Sequence, residues 1–547
     1  MPRMTGGQAA VHALRREGVE VVFALPGVQI MQLFDAFHGQ RDIRLVTVRH
    51  EQATTHMADG YARVSGKPGV ALVVPGPGVL NAATGLGTAY ASSSPVLLLA
   101  GQVESHAIGS DTGALHEVND QLDVVRPLTK WCRRVLRVAD IPAAIHEAFR
   151  QMNTGRPRPT EVEIPPDVLA ATGDVDFPEP APETPRAPDP GAVERAAALL
   201  RQARRPLIWA GGGAVISGCS EELAALADVL GAPVATTPEG KGAIPEDHPH
   251  SLGTNYYGHG AAALAMPSAD VVLAVGTRLT GIMRGTTALR PPHQLIHIDV
   301  DGTVPGKVYP AEVAVHSDAR LALQALLDAL GPKMGKPRWH LEEVEKMRQE
   351  ARRWVQEQAP LQLEVINTIQ RELPQDAVLV SGVTNVGYWC NLAYPVTRPR
   401  TYFTSSYFAT LGYAFPLSLG AKIATGPDRP VVCLSGDGGF LYGASELATA
   451  VQFGINVVAI VFADGAFGAS LNDQRTRYGG REVGTRLHNP DLVRLAEAFG
   501  ARGIRCSGPD GVGKALRQAL DGGRPTLIEV PMPTLAPPFQ IPPRSLS

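Results

Sequence analysis

Short, almost wholly apolar runs separated by helix-length segments constrain the fold of this chain more than any other feature. Between Thr5 and Ala170 the helical pattern GGQAAVHALRREG is followed by the runs VEVVFAL, RLVTV, GVALVVPG, PVLLLAG and TEVEIP. A strand that is apolar on both sides must be covered on both sides, and strands separated by helices run parallel. The expectation is an α/β fold in which a central, mainly parallel sheet lies between two helical layers.

The alternation breaks at ATGDVDFPEPAPETPRAPDP, rich in proline and acid and without helical or strand period, so residues 171–190 are expected to be a linker. It resumes in RPLIWAGGG, APVATT, ADVVLAVG and QLIHIDVD, and again in AVLVSG, VVCLSGDG, INVVAIVFAD and PTLIEVPMP. Between these blocks, PRWHLEEVEKMRQEARRWVQEQ places apolar residues at helical spacing among many charges, the pattern of a connecting helix with a solvated face. The expected organisation is a first domain over 1–170, a middle domain over 191–330, a connecting helix over 331–360 and a last domain over 361–547. Several domains are needed, because a single core stops growing at about 250–300 residues. The closing PTLAPPFQIPPRSLS is read as a lid or a frayed tail.

Composition narrows the partners. With 44% hydrophobic and 19% charged residues the chain can build sizeable cores, and a formal charge of −3 gives no global attraction for nucleic acid or an anionic membrane. Cys132, Cys219, Cys390, Cys433 and Cys506 show neither paired nor zinc-ligand spacing and read as reduced thiols. Arg15, Arg16, Glu17 and Glu20 interrupt the first apolar residues as no signal peptide would, and no apolar stretch reaches the ~20 residues of a membrane span. A cytoplasmic protein that binds small molecules or other subunits is expected.

Chemistry concentrates in VVCLSGDGGFLYGASELATAVQFGINVVAIVFADGAFGAS, where two strands end in Asp437 and Asp464. Ligands of parallel sheets bind beyond the carboxyl ends of strands. Gly436, Gly438 and Gly439 let main-chain amides approach a phosphate, and a helix beginning near Tyr442 or Gly443 would point its positive end there. Two carboxylates beside phosphate oxygens suit Mg²⁺. Alone, Gly-Asp-Gly also makes ordinary turns.

The order Gly-Asp-Gly, ELATA helix, then a strand ending in Ala463-Asp464-Gly465 resembles the thiamine diphosphate motif of the acetolactate synthase and 2-oxo acid decarboxylase family. The resemblance implies a pyrimidine-binding first domain, a Rossmann-like middle domain and a last domain holding diphosphate and Mg²⁺. It assigns Asp437, Asp464 and the carbonyl of Ala466 to the metal, with Phe467 and Gly468 beside the cofactor. Where the family usually has asparagine this chain has Asp464, which keeps an oxygen donor and adds a negative charge.

A second match is VTVRHEQATTHMADGYARVSGKPGVALVVPGPGVLNAATGLGTAY, which resembles the cofactor-activating region of acetolactate synthases. Glu51 stands where that family's glutamate bonds the pyrimidine ring nitrogen. The physical requirement is a carboxyl in mostly apolar surroundings, able to share a proton with a ring nitrogen; the bland alternative is an acid at a helix N-terminus. Pro26, Gly27, Gly76 and Asn81 would line the same pocket. In SSYFATLGYAFPLSLGAK, resemblance places Leu411 as the wedge that bends the cofactor and the Ala409 carbonyl as acceptor for its exocyclic amine. Thr384, Asn385 and Val386 would bind diphosphate.

The implied reaction is decarboxylation of a 2-oxo acid followed by transfer of the acyl-anion equivalent to a second carbonyl, with the chemistry supplied by the cofactor. RHEQ, GPGVLNAATG, GQV and TK favour the acetolactate synthase type; release of an aldehyde is the alternative, and a non-catalytic member of the fold ranks below both. Leu115 and His116 stand where acetolactate synthases usually carry phenylalanine and glutamine, and His116 is a candidate proton donor. The family further implies a homodimer or homotetramer with active sites between subunits. FAD in the middle domain is left open by AGGGAVISG and by Arg278 in VGTRLTGIM. GPDGVGKAL approaches a nucleotide-hydrolase phosphate loop, but Ala515 replaces the metal-binding hydroxyl.

Overall fold

The computed structural model describes residues 1–180, 184–280, 294–332 and 338–542. Its frame is three six-stranded sheets, parallel throughout. The first runs Arg44–Thr47, Val21–Ala24, Gly69–Val73, Val96–Gly101, Thr160–Ile164, Trp131–Arg134 across the sheet. The last runs Tyr402–Phe403, Val378–Ser381, Val431–Gly436, Val458–Ala463, Thr526–Pro531, Arg502–Arg505. Counted by chain order within each domain, both read 2-1-3-4-6-5. The middle sheet runs Ser251–Thr254, Val234–Thr236, Pro206–Ala210, Val271–Val275, Gln294–Asp299, Val313–His316, hence 3-2-1-4-5-6, the dinucleotide-fold order. The apolar runs are central strands: Gly69–Val73, Val96–Gly101, Pro206–Ala210 and Val271–Val275 are buried at every residue.

One hydrophobic core spans the first and last sheets, joining Phe23, Val73 and Leu98 to Val380, Cys433 and Val461. Its keystone is the crossing of helices Glu51–Ser65 and Ala414–Thr425. A Cβ on Gly60 would lie 2.0 Å from the Leu417 carbonyl oxygen, and one on Gly420 would lie 1.9 Å from that of Met57, so only glycine permits this approach. All three domains meet at Arg63, whose guanidinium bonds Glu239 Oε2 at 2.9 Å and the Thr404 carbonyl at 2.6 Å.

Local differences from the sequence reading have simple causes. Thr172–Asp174, inside the expected linker, forms a three-residue strand antiparallel to Arg3–Thr5, too short to show a period. The connecting helix is Leu341–Gln358; Pro360 forces Ala359 out of helical geometry and opens a second helix, Pro360–Glu372. Trp339 and Val344 enter a middle-domain core while Trp354 and Val355 enter the last one. GPDGVGKAL opens helix Gly508–Asp521, with Val512, Gly513, Ala515 and Leu516 buried and Lys514 exposed. Among the described residues no helix is long and apolar enough to cross a membrane.

Candidate active site

In the last domain Asp437 and Asp464 end neighbouring strands and face a cavity of about 360 Å³. Thr384, Asn385, Val386 and Leu411 line it, as do Gly436, Gly438 and Gly439. Ala466, Phe467 and Gly468 complete that side. The helix expected near Tyr442 begins at Asp437 itself, as Asp437–Leu441, and the next runs Glu446–Phe453. The Asp437 carboxylate is held at both oxygens: Oδ1 accepts from Gly438 N at 2.9 Å, while Oδ2 accepts from Gly465 N at 2.8 Å. Asp464 accepts from Ala466 N at 3.2 Å through Oδ1 and from the Thr534 hydroxyl at 2.9 Å through Oδ2. Burial raises the Asp464 pKa; the Thr534 bond opposes that and the charge of Asp437 adds to it. A Cβ on Gly468 would lie 2.4 Å from Asp464 Oδ2, so the acid dictates the glycine.

Three participants were not visible in the sequence. Asn489 Nδ2 donates to Asp437 Oδ2 at 2.6 Å. Thr534 belongs to the proline-rich tail, which is a strap: Asn385 Nδ2 holds the Leu535 carbonyl at 2.8 Å, and Gln540 Nε2 holds that of Ala469 at 2.8 Å. The tail's final residues, 543–547, lie outside the described residues. Both polar atoms of the Asn385 side chain are engaged, the other by Gln362, so its part in ligand binding falls to its main chain. Glu446 accepts from Arg49 N and His50 N at 3.0 Å each, seating the Glu51 helix on the last domain.

The first domain gathers a second group. Glu51 opens its helix, and its Oε2 accepts from Asn81 Nδ2 at 2.9 Å. Gly76 precedes the helix Pro77–Ser92 at φ +56°, and a Cβ there would meet the His116 carbonyl oxygen at 2.3 Å. His116, at φ +68°, has a buried Nδ1 without a hydrogen-bond partner, and the neighbouring Leu115 carbonyl is held by Gln29 Nε2 at 3.0 Å. Gly27 leans on Val74, while Pro26 is exposed. Within one chain this group is separate from the Asp437 cavity, whose walls include none of Pro26, Gly27, Glu51, Gly76, Asn81 or His116. At the cavity's rim Gln52 Nε2 donates to the Tyr442 carbonyl at 2.7 Å.

Comparison with known proteins decides what this pairing is. Residues 4–124 match the N-terminal TPP binding domain of thiamine pyrophosphate enzymes, 193–326 the central domain and 382–530 the C-terminal TPP binding domain. The chain belongs to the thiamine pyrophosphate enzyme family. A Methanocaldococcus jannaschii protein named "Probable acetolactate synthase large subunit" is 35% identical across 96% of this chain and 92% of its own length. The Pseudomonas aeruginosa "Probable 2-ketoarginine decarboxylase" is 37% identical across 96% and 94%, and the Escherichia coli "Acetolactate synthase isozyme 3 large subunit" 34% across 95% and 93%.

The cavity of this thiamine pyrophosphate enzyme fits a cofactor's diphosphate end only if a cation comes with it. Among the described residues no Lys, Arg or His side chain lines it, and two carboxylates do. Among the described residues no cluster of three or more His, Cys, Asp or Glu side chains surrounds a point. Further donors must be main-chain carbonyls, phosphate oxygens and water, as a hard divalent ion accepts.

A larger cavity, about 1310 Å³, lies between the three domains. Ala409 is on this cavity's wall, at φ +51°. Val383 and Tyr388 are walls common to both cavities. The glycines of AGGGAVISG have a packing cause: a Cβ on Gly211 or Gly213 would lie 2.5 or 2.6 Å from Gly276 backbone. Arg278 also lines this cavity, its guanidinium 4.5 Å from the Tyr407 ring centre; Gly281–Met283 of the same segment lie outside the described residues.

Proposed function

We propose that this thiamine diphosphate enzyme uses Mg²⁺, decarboxylates a 2-oxo acid and transfers the acyl-anion equivalent to a second carbonyl, as the names of its acetolactate synthase relatives suggest. The observation that carries the reading is the pair Asp437 and Asp464 in a cavity without a cationic side chain among the described residues, together with a half-buried Glu51 at the start of its helix. Asp437, Asp464 and the Ala466 carbonyl would hold the metal, and amides of the 384–386 and 436–439 segments would receive the diphosphate. When bound, the cofactor supplies a carbon nucleophile and an electron sink. Glu51, with one oxygen oriented by Asn81, would share a proton with the cofactor's pyrimidine nitrogen. Leu411 would pack against the bound cofactor, and His116 would be a proton donor to the substrate.

The site is incomplete in one chain, which supports assembly of at least a homodimer. Val28 is 69% exposed and Leu115 62% beside the Glu51 group, and Tyr442 is 52% exposed beside Asp437, apolar surface that a second copy would cover. Aldehyde release is the second reading. It is favoured by Leu115-His116 in the substrate loop, a histidine that would protonate what a carboligase must keep for a second carbonyl. Incubating the purified protein with thiamine diphosphate, Mg²⁺ and a panel of 2-oxo acids, with and without aldehyde acceptors, separates the two. Carboligation predicts 2-hydroxyketone or acetolactate-type products; free aldehyde alone supports decarboxylation, and activity without the cofactor would overturn both. A yellow preparation with flavin released on denaturation would assign FAD to the 1310 Å³ cavity.

A further inference from the structure

The first sheet buries two glutamates on one face of Thr160–Ile164, and they are held very differently. Glu161 is fully buried with neither carboxylate oxygen hydrogen-bonded. Glu163, also fully buried, accepts from Gln102 Nε2 at 3.1 Å, from Gln121 Nε2 at 2.8 Å and from Arg134 Nε. Burying a carboxylate is unfavourable unless it is paired and hydrogen-bonded, so a hub with three donors calls for a reason beyond filling space.

The donors lead to the site. Gln121 also donates to the Gly101 carbonyl at 2.9 Å, and its Oε1 accepts from Gly76 N at 2.9 Å. Arg134 reaches Asp120 Oδ1 at 3.0 Å, the residue that caps the helix Gln121–Val125 and ends the loop carrying His116. Gly76 touches His116 and starts the helix from which Asn81 orients Glu51. We infer that Glu163 is a positioning residue for cofactor activation: through Gln121 it fixes the Gly76 turn, and with it the placement of Asn81–Glu51 and of the His116 loop. The inference rests on the thiamine diphosphate reading of the site.

The test uses the full chain with Glu163→Gln, Gln121→Met and, as a control on the same strand face, Glu161→Gln. A glutamine at 163 offers one acceptor oxygen to three donors and turns its own amide toward one of them. Without cofactor, amide hydrogen exchange over 74–82 and 112–120 should quicken roughly 10-fold in the first two variants. With cofactor and Mg²⁺, kcat and the C2 proton-exchange rate of bound thiamine diphosphate should both fall about 10–100-fold, as for other residues that orient a functional ligand. Cofactor Kd and substrate KM should stay within about 3-fold, because the diphosphate half lies in another domain. Glu161→Gln should match the wild type in every readout. Unchanged exchange over 74–82, or a kcat loss matched by an equal loss of cofactor affinity, overturns the inference. If Glu163→Gln does not fold, Gln121→Met decides alone, since it leaves Glu163 with Gln102 and Arg134. A wild type indifferent to the cofactor would sink the thiamine reading instead, while the apo exchange data would still report on the hub.

Discussion

The outer two domains are the same sheet twice, with strand order 2-1-3-4-6-5, yet their corners do opposite work. In the last domain the segments after the third and fourth strands bring two carboxylates into a cavity walled by one chain. In the first domain the segment after the third strand brings Gly76, that after the first brings Pro26-Gly27, and that after the second brings Glu51 to a half-open face. The crevice follows from strand order; the chemistry follows from which loop carries which side chain. One corner is complete and anionic, the other incomplete and apolar-rimmed, so the first is expected to govern binding and the second turnover.

The strongest way to break that division is Asp437→Ala. It removes a carboxylate that accepts from Gly465 N and Asn489 Nδ2 and leaves a site with a single acid. Activity should fall more than about 1000-fold, and calorimetry should find no cofactor binding at millimolar Mg²⁺. Tight binding in this variant would move the diphosphate elsewhere. Glu51→Gln is the counterpart in the other corner: kcat should drop about 100–1000-fold while cofactor affinity holds. A variant that loses affinity and turnover together would mean that the corners are not separable.

Acid should distinguish the halves as well, through two buried groups on the Glu51 helix. Burial depresses the His56 pKa to about 3 and raises that of Asp59 to about 6. Between pH 6.5 and 3 the unfolded chain binds a proton at His56 that the folded chain refuses, so stability falls as pH falls. Between pH 6 and 3.8 the folded chain holds a proton at Asp59 that the unfolded chain releases, so stability rises as pH falls. In the wild type the two slopes offset. Asp59→Asn unmasks His56, and relative to wild type the variant should lose about 1.4 kcal/mol per pH unit between pH 6 and 4. Urea midpoints at pH 6.5, 5.5 and 4.5 check this; parallel curves would place the His56 ring in contact with water.

Legibility followed locality. Thirteen of the eighteen sheet strands were visible as apolar runs, and Asp437 and Asp464 because one continuous segment carries both; Trp131–Arg134, Ser251–Thr254, Val313–His316, Tyr402–Phe403 and Arg502–Arg505 were not, because they are edge strands, short or carrying polar residues. Strand order was not, since nothing local in Val21–Ala24 or Val378–Ser381 records its neighbour. Asn489 and Thr534 reach the acids from 52 and 70 residues away, and neither has a side chain that marks it. The helix at Asp437 hid behind two glycines, which argue against a helix start.

The smallest expected effect asks how far the complete corner depends on the strap. Thr534 donates to Asp464 Oδ2, the oxygen that Gly468 leaves room for. An asparagine at 464 could instead present its amide to that hydroxyl, so the acid and the threonine are matched by who donates. Thr534→Val keeps the shape and removes the donor, at a cost of about 1 kcal/mol, or roughly 5-fold. That loss should fall on the Mg²⁺ concentration needed for half-maximal activity, with kcat at saturating metal unchanged. Pairing Thr534→Val with Asp464→Asn should recover nothing if Asp464 serves the metal directly. Recovery to wild-type metal dependence would mean that the strap contact, rather than the added charge, explains why this chain carries an acid there.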